Sequence, residues 1–167
     1  MSRGFVKEED QEEIPMVPPR ADLPNGAVNY VTKIGYNNLL AERNGFLVEK
    51  ESLQHDNENE RRIASNLINA KLQLLNERIA SAKIVDLKDQ PQNEIRFGAT
   101  ITVVIDNAET PQQFQIVGVD EANIAKGKIS FLSPIARLLI SKHVGDTATL
   151  QLGKVERVFK IIEILYT

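Results

Sequence analysis

The sequence predicts an α+β protein in which an N-terminal antiparallel helical hairpin, a coiled coil, is followed by a domain of about five antiparallel strands and one helix. Two patterns along the chain predict this class. Apolar residues recur at alternating steps of four and three between residues 68 and 82, which is typical of a coiled-coil seam. From residue 95 onward the apolar residues alternate with polar ones, which is typical of half-buried strands. The predicted segments are an acidic tail containing prolines, the hairpin, a linker and a C-terminal domain, at residues 1–29, 30–87, 88–94 and 95–167.

The composition restricts the classes of protein to which the chain can belong. Cysteine is absent, which excludes disulfides, thiolate metal sites and cysteine nucleophiles and agrees with a reducing cytoplasm. The two histidines, His55 and His143, are too far apart in the sequence to suggest a histidine metal site. No apolar run is long enough for a membrane span, and the acidic N-terminus does not have the pattern of a secretory signal. We therefore expect a cytoplasmic protein without a membrane partner.

Negative charge is concentrated before the hairpin. The first 29 residues contain six acidic residues and four prolines. Such a segment predicts a disordered or extended tail, because it buries too little apolar surface to offset the loss of chain entropy. The net charge of the whole chain is −3. Since phosphate binding depends on clustered Lys and Arg, we expect contact with nucleic acid only indirectly, through another protein.

The predicted hairpin spans residues 32–82. Thr32 is the predicted N-cap of the first arm, which runs to about Leu53. The second arm has the clearer seam, formed by Ile68, Leu72, Leu75, Ile79 and Ala82. Each arm would be roughly 30 Å long with a single apolar stripe, so most of the hairpin is expected to project into solvent. Such an arm can dimerise through its seam, serve as a plain connection, or carry its tip into a partner.

The turn between the arms, residues 54–59, is acidic. It contains Asp56 and Glu58, and Glu60 follows directly after it. The stretch NENE fits a capping box in which Asn57 is the N-cap and Glu60 is its reciprocal partner, while Glu58 favours the positive end of the helix. Helix capping thus accounts for Glu58 and Glu60 without any further function, and Asp56 is left over.

The C-terminal half has the period and the turn signals of a small sheet. Its predicted strands are residues 99–105, 114–119, 128–131, 147–152 and 155–165. Between the third strand and the fourth, Ser133 and Pro134 predict a helix start, because serine is a good N-cap and proline suits the first turn. The apolar residues of this helix are expected to cover one face of the sheet.

Residues 117–146 read VGVDEANIAKGKISFLSPIARLLISKHVGD and resemble the C-terminal domain of the bacterial Gre transcript-cleavage factors. The VGxDEA turn, the GKIS strand, the SPIAR helix start and the K-x-VGD turn stand in the order typical of that family. Residues 81–86 and 97–100 are also similar to the family, and the MSR-x-FVKE opening resembles a GreB-type relative with an extended tail. By this resemblance the chain is identified as a member of the GreA/GreB-like elongation factors, a variant with a shortened coiled coil.

The resemblance implies an FKBP-like C-terminal domain that docks at the rim of the secondary channel of RNA polymerase, with the coiled coil entering the channel. Prolyl isomerase activity does not follow from such a fold. The docking motif of the family corresponds here to Ser133, Pro134, Ile135, Ala136 and Arg137. Ile135 is equally well explained as part of the core, and Pro134 and Arg137 as parts of a helix cap.

The resemblance also implies a role for the hairpin tip. In Gre factors, acids at the tip help to hold a metal ion and its water in the polymerase active site, and the similar residues here are Asp56 and Glu58, with Glu60 in reserve. We expect no metal to bind stably to the chain alone, and Mg²⁺ to be shared only in the complex with polymerase. The tip residues are one residue closer together than in the family pattern. The hairpin is also shorter by about two turns per arm, roughly 10 Å of reach.

The sequence therefore predicts a transcription elongation factor, itself not an enzyme, that stimulates the intrinsic cleavage of backtracked RNA by RNA polymerase. Hydrolysis of a phosphodiester uses two metal ions, and carboxylates beside one ion can help to recruit the other. A hairpin that stops short could instead occupy the channel without cleavage and regulate or inhibit the polymerase, because such help depends on close placement. A dimeric coiled-coil adaptor that does not need this partner is the third interpretation.

Overall fold

The computed structural model describes residues 15–54 and 56–167. Two long helices and a five-stranded sheet make up most of this part of the chain, which confirms the predicted α+β class. The most acidic part of the predicted tail, in residues 1–14, and His55 lie outside the described residues. None of the helices in the described part is long and apolar enough to cross a membrane.

Helices α1 (Lys33–Glu51) and α2 (Glu58–Ser81) form the predicted hairpin. The first helix begins after Thr32, whose hydroxyl oxygen accepts a hydrogen bond from the backbone N–H of Gly35 and so caps the first turn, as predicted. The second helix ends one residue before Ala82, the last position of the predicted seam. The local signals of the sequence therefore locate both arms to within a few residues.

The base of the hairpin is closed by two short strands. β1 (Asn29–Val31) precedes α1 and pairs in parallel with β2 (Ala82–Ile84), which follows α2. A parallel pair needs a crossover connection, and here the hairpin itself is that connection. Val31, Leu39 and Leu75 form a small apolar cluster at this base. Strands of three residues carry no period from which this pairing could be predicted.

Five strands form the sheet of the C-terminal domain, close to the predicted positions. They are β3 (Thr100–Ile105), β4 (Gln112–Val117), β5 (Lys128–Ser130), β6 (Thr147–Leu152) and β7 (Val155–Leu165). Their order is β5-β4-β3-β7-β6, and all neighbours are antiparallel except β4 and β5. The prediction of an entirely antiparallel sheet is therefore wrong. The connection between β4 and β5 contains a 3₁₀ helix (Ile124–Lys126) and carries the chain back before β5 begins, which a tight hairpin turn cannot do.

Helix α3 (Pro134–Leu139) packs on this sheet, as predicted. The core that they share is apolar, and its residues without exposed surface include Ala136, Leu139, Ile101, Ile116 and Ile161. The apolar face of the helix and the inward positions of the strands therefore meet in one core, which makes the C-terminal domain a firm base for whatever its surface binds.

The linker between the hairpin and the sheet is packed rather than loose. It begins with a 3₁₀ helix (Leu87–Asp89). Leu87 lies against Gly98, where an added Cβ would collide with the leucine side chain and where the positive φ of +87° favours glycine. The Gln90 side chain donates a hydrogen bond to the Phe97 carbonyl at 2.9 Å. These contacts hold the linker against the C-terminal domain, so fewer unattached residues separate the hairpin from the sheet.

The described part of the tail, residues 15–28, forms neither helix nor strand, and it packs against the rest of the chain. Arg20 makes hydrogen bonds both to α1 and to the C-terminal domain, and the carbonyl of Ala21 accepts one from Arg78 of α2. These residues are therefore packed rather than disordered.

Candidate functional site

The hairpin tip presents its acids to solvent. Asp56, Glu58 and Glu60 are all exposed, the first just before α2 and the other two in its first turn, where negative charge is favourable. In the part of the chain that the structure describes, no group of three or more His, Cys, Asp or Glu residues is placed to hold a metal ion. Exposed carboxylates are oxygen ligands of the kind that Mg²⁺ prefers.

Asn57 begins α2, as the sequence predicts. Its side-chain oxygen accepts a hydrogen bond from the backbone N–H of Asn59 at 2.8 Å. The N-cap prediction is confirmed, although in a full capping box this oxygen would accept from the N–H of Glu60, one residue further on. Arg62 in turn donates to the side-chain oxygen of Asn59 at 3.0 Å. Amide groups thus brace the start of α2, and the carboxylates of Asp56 and Glu58 remain exposed.

The five predicted docking residues divide between surface and core. Ser133 caps α3, because its hydroxyl oxygen accepts from the N–H of Ala136 at 3.2 Å. Pro134 and Arg137 are exposed, and Ile135 is half-buried against the core. Ala136 is 0 % exposed, so a partner cannot contact it, and its role is to pack α3 against the core. A docking surface at this point must therefore consist mainly of Pro134 and Arg137.

A further site, which sequence reasoning missed, joins the hairpin to the C-terminal domain. The turn after β4 carries Asp120 and Glu121, and both side chains reach residues of the N-terminal part. We call this site the joint and define it as these two acids with their partners Arg20, Arg78 and Thr32. The two acids of the DEA motif thus connect the C-terminal domain to the N-terminal part of the chain.

Glu121 braces the first turn of α1. The Thr32 hydroxyl lies 2.8 and 2.9 Å from the two carboxylate oxygens and donates to the carboxylate, while its own oxygen accepts from Gly35. The Glu121 side chain is 4 % exposed, and the ammonium of Lys128 lies 3.6 Å away. Negative charge at the N-terminus of a helix is stabilising, so this contact fixes the C-terminal domain on the start of the arm.

Asp120 lies between two arginines. Its Oδ1 accepts from Nε of Arg20 at 3.1 Å, and its Oδ2 lies 3.4 Å from Nε of Arg78. Arg20 also donates two hydrogen bonds to the carboxylate of Glu42 on α1, at 2.9 and 3.0 Å. The hydrogen bonds with Glu42, aided by the charge of Asp120, raise the pKa of Arg20 above its ordinary value. Because the Asp120 side chain is only 8 % exposed, salt screens these pairs less than it screens pairs on the surface.

The joint also brings two backbones close together. Tyr30 of β1 packs with Phe97 and Phe131, with ring centroids 5.6 to 5.8 Å apart. Beside these rings, Gly118 lies so near β1 that an added Cβ would stand 2.5 Å from the carbonyl oxygen of Tyr30. Only glycine allows this approach, because a real Cβ cannot come so close to a backbone oxygen.

Gly118→Ala is expected to destabilise the protein by about 1–3 kcal/mol, because the new methyl group must push the Tyr30 carbonyl away and open the joint. Urea unfolding followed by circular dichroism measures the change. Gly45→Ala is the matched control, because Gly45 lies in α1 with open space around its Cβ position, and alanine there should stabilise the helix by about 1 kcal/mol. If Gly118→Ala unfolds at the same urea concentration as the unchanged protein, the close approach does not exist in solution.

The fold and these sites define a class of protein in which a helical arm with an acidic tip is fastened to a small sheet domain. The family model described as "Transcription elongation factor, GreA/GreB, C-term" matches residues 90–166. Residues 90–166 thus have the sequence of a GreA/GreB C-terminal domain.

Curated relatives agree with this assignment. The transcription elongation factor GreA of Hyphomonas neptunium is 37% identical over 101 residues, which are 60% of this chain and 64% of that protein. The GreA of Maricaulis maris is 42% identical over 81 residues, 48% of this chain and 52% of that protein. The chain thus spans less than two thirds of the length of these relatives, 64% and 52%.

Solved structures of similar proteins include the GreA/GreB factor of Nitrosomonas europaea, which is 17% identical with a TM-score of 0.42 and covers 82% of this chain and 97% of its own. They also include GreA factor homolog 1 (Gfh1) of Thermus thermophilus, which is 22% identical with a TM-score of 0.39 and covers 81% and 97%.

Proposed function

We propose that this protein is a transcription elongation factor that binds RNA polymerase through its C-terminal domain and carries the hairpin tip into the secondary channel. There Asp56 and Glu58 would help to hold Mg²⁺ during cleavage of backtracked RNA, and the protein would be a cofactor of the polymerase rather than an enzyme. The observation that carries this proposal is the placement of exposed acids at the free end of an arm whose base is fastened to a GreA/GreB-type domain.

The proposed chemistry requires the tip to supply only ligands for a metal ion. A Mg²⁺ ion supplies an activated water and stabilises the charge of the leaving oxygen, and it prefers carboxylate ligands with some retained waters. Asp56 and Glu58 are exposed and stand on either side of the N-cap residue Asn57, so both can turn toward an ion beyond the end of the arm. The contribution of this chain is to place these ligands, and the direct test is cleavage of a backtracked elongation complex with and without the protein.

Replacing both Pro134 and Arg137 by alanine is expected to weaken polymerase binding by about tenfold or more, because the exposed cation and the preset helix start are lost from the proposed docking surface. Binding to core polymerase by biolayer interferometry measures this effect. Lys154→Ala is the control, because it removes an exposed cation from the turn between β6 and β7, and it should bind like the unchanged protein.

The same variant distinguishes contact from folding. Ser133 still caps α3 and Ala136 still fills the core, so the double variant should keep the circular dichroism spectrum of the unchanged protein. Undiminished affinity in a folded double variant would reject the docking assignment. Loss of folding would show instead that Pro134 and Arg137 serve only to build the helix.

A channel occupant without cleavage activity is the second candidate, and the short arm favours it. α1 has 19 residues, which corresponds to roughly 30 Å, and a single residue separates Asp56 from Glu58. If the protein binds polymerase but gives no cleavage at saturating Mg²⁺, one heptad can be inserted into each arm with the seam kept in register. Restored cleavage would assign the defect to reach. A lengthened arm that binds and still does not cleave would support the occupant.

The interpretation as a coiled-coil adaptor that dimerises through the seam finds little support. The seam residues Ile68, Leu72 and Leu75 are buried within the single chain, so these side chains are not available to a second copy. A pull-down with core polymerase tests the point, because an adaptor would not need that partner.

A further inference from the structure

Residues 15–28 cross the hairpin and the C-terminal domain at the joint, and we call this segment the strap. We infer that the strap fixes the direction of the hairpin relative to the C-terminal domain and that Arg20 is its positioning residue. This inference concerns the free protein and does not depend on the proposed function.

The contacts of Arg20 carry the inference. One guanidinium binds both parts of the chain at once, since it donates two hydrogen bonds to Glu42 on α1 and one to Asp120 in the C-terminal domain. The planar fork of arginine suits this double recognition, whereas a lysine ammonium is a point charge. The Arg20 side chain is 18% exposed and the Asp120 side chain 8%, so water competes little for the bond between them, whereas the Glu42 carboxylate is partly open to solvent.

The strap is held at further points. Nη2 of Arg78 on α2 donates to the Ala21 carbonyl at 2.6 Å, and the same side chain lies against Asp120. Just beyond the strap, the Asn29 side chain donates to the Arg78 carbonyl at 2.9 Å. Prolines at positions 15, 18, 19 and 24 limit the conformations of the free segment, which lowers the entropy lost when it packs. The strap therefore contacts α1, α2 and the C-terminal domain within one short stretch.

Contacts such as those of Arg20 are needed to fix the direction of the arm relative to the C-terminal domain. Two parts joined by a modest interface move relative to one another by default. An arm roughly 30 Å long that tilts by about 10° displaces its tip by about 5 Å. Without Arg20, the buried carboxylate of Asp120 would keep only Arg78, at 3.4 Å, and Glu42 would lose its bidentate partner. The contacts by which the strap connects α1 to the C-terminal domain would then be gone, while the Glu121 contact and the packing of Tyr30 at the base of the arm would remain as a pivot.

The absence of cysteine allows a direct test, because nitroxide labels can be attached at two introduced cysteines in the full chain. One label replaces Glu49, exposed near the end of α1, and the other replaces Thr149, exposed on β6. Pulsed electron spin resonance should give a single narrow distance distribution for the unchanged joint. Arg20→Gln should broaden it or add a second distance, and Arg20→Lys should give an intermediate width.

Two controls make the result specific. Arg157→Gln removes another arginine–aspartate pair, the 2.8 Å contact with Asp106 inside the C-terminal domain, and should leave the distribution narrow. A second label pair at Glu49 and Gln73, both within the hairpin, should keep its distance in every variant and so report that the arms remain folded. Broadening in Arg157→Gln equal to that in Arg20→Gln would overturn the inference.

Glu42→Gln provides an independent variant, because it detaches the strap from α1 while Asp120 keeps both arginines. It should broaden the distribution of the distance between the arm and the domain, as Arg20→Gln does. If Arg20→Gln disturbs the hairpin itself, Glu42→Gln decides the question alone. A narrow distribution in a folded Arg20→Gln, or in Glu42→Gln, would show that the strap does not set the direction of the arm.

Discussion

Replacing Asp56 and Glu58 together by alanine is expected to abolish stimulated RNA cleavage while leaving polymerase affinity unchanged. Both carboxylates are exposed at the tip, at the far end of the arm from the joint and from α3, so their loss removes ligands for the ion without touching the proposed docking surface. Cleavage of a backtracked elongation complex at saturating Mg²⁺ measures the activity, and a binding titration measures the affinity.

A matched variant distinguishes the loss of metal ligands from the loss of negative charge. Glu49 and Glu51 are exposed at the end of α1, and replacing both by alanine removes as much negative charge as the tip variant but leaves the turn intact. Cleavage should survive in this control. Glu60→Ala should cost about 1 kcal/mol or less of helix stability and have a smaller effect on cleavage. Full cleavage by the Asp56 and Glu58 double variant would eliminate metal assistance as the function of the tip.

Leu75→Ala is expected to lower the free energy of unfolding by about 2–5 kcal/mol, the largest effect of a single substitution that we expect in the hairpin. Leu75 is 0 % exposed and packs with Val31 and Leu39 where the strand pair closes the base of the hairpin. Truncation leaves a cavity that this base cannot easily fill. Urea unfolding followed by the helical signal in circular dichroism measures the loss.

Leu47→Ala is the control for this prediction, because it makes the same chemical change on α1 at a side chain that is 43% exposed. It should cost much less, since exposed apolar groups lose little contact on truncation. Similar losses in the two variants would mean that Leu75 is not part of a packed base in solution, and the arm would then lack the anchor described here.

Local signals explain why the arms and the strands could be predicted from the sequence. The alternation of steps of four and three through Ile68, Leu72 and Leu75 determines the buried face of α2, and the cap at Thr32 determines where α1 begins. Ser133 and Pro134, two neighbouring residues, likewise indicate where α3 begins. Each of these features depends on neighbours along the chain, which a single sequence displays.

Pairing between distant residues could not be read in the same way. The parallel register of β4 and β5 and the closure of the hairpin by β1 and β2 depend on the path of connections, which short strands do not encode. The contact of Arg20 with Asp120 spans 100 residues. One signal for it was present, because Arg20 is the single cation between Lys7 and Lys33 in an acidic segment and so needs a specific explanation.

The docking motif shows how a structure refines a resemblance. The sequence left Ile135 open between core and contact, and Pro134 and Arg137 open between helix cap and contact. In the structure Pro134 and Arg137 lie three positions apart on the exposed side of α3, whereas Ala136 and Leu139 are buried. A six-residue helix is too short for its period to reveal this division. The surface that a partner can touch is therefore smaller than the motif.

The separation of the residues at the joint orders events during synthesis. Arg20 leaves the ribosome 100 residues before Asp120, an interval of about 5–20 s at about 5–20 residues per second. Both helices of the arm are complete within that interval, whereas β3 must wait for β7 before the centre of its sheet can close. The nascent arm thus exists before its carboxylate partner does, with Arg20 and Arg78 still unneutralised by Asp120. The arm forms early on the ribosome, and it acquires its direction only after the C-terminal sheet has been made.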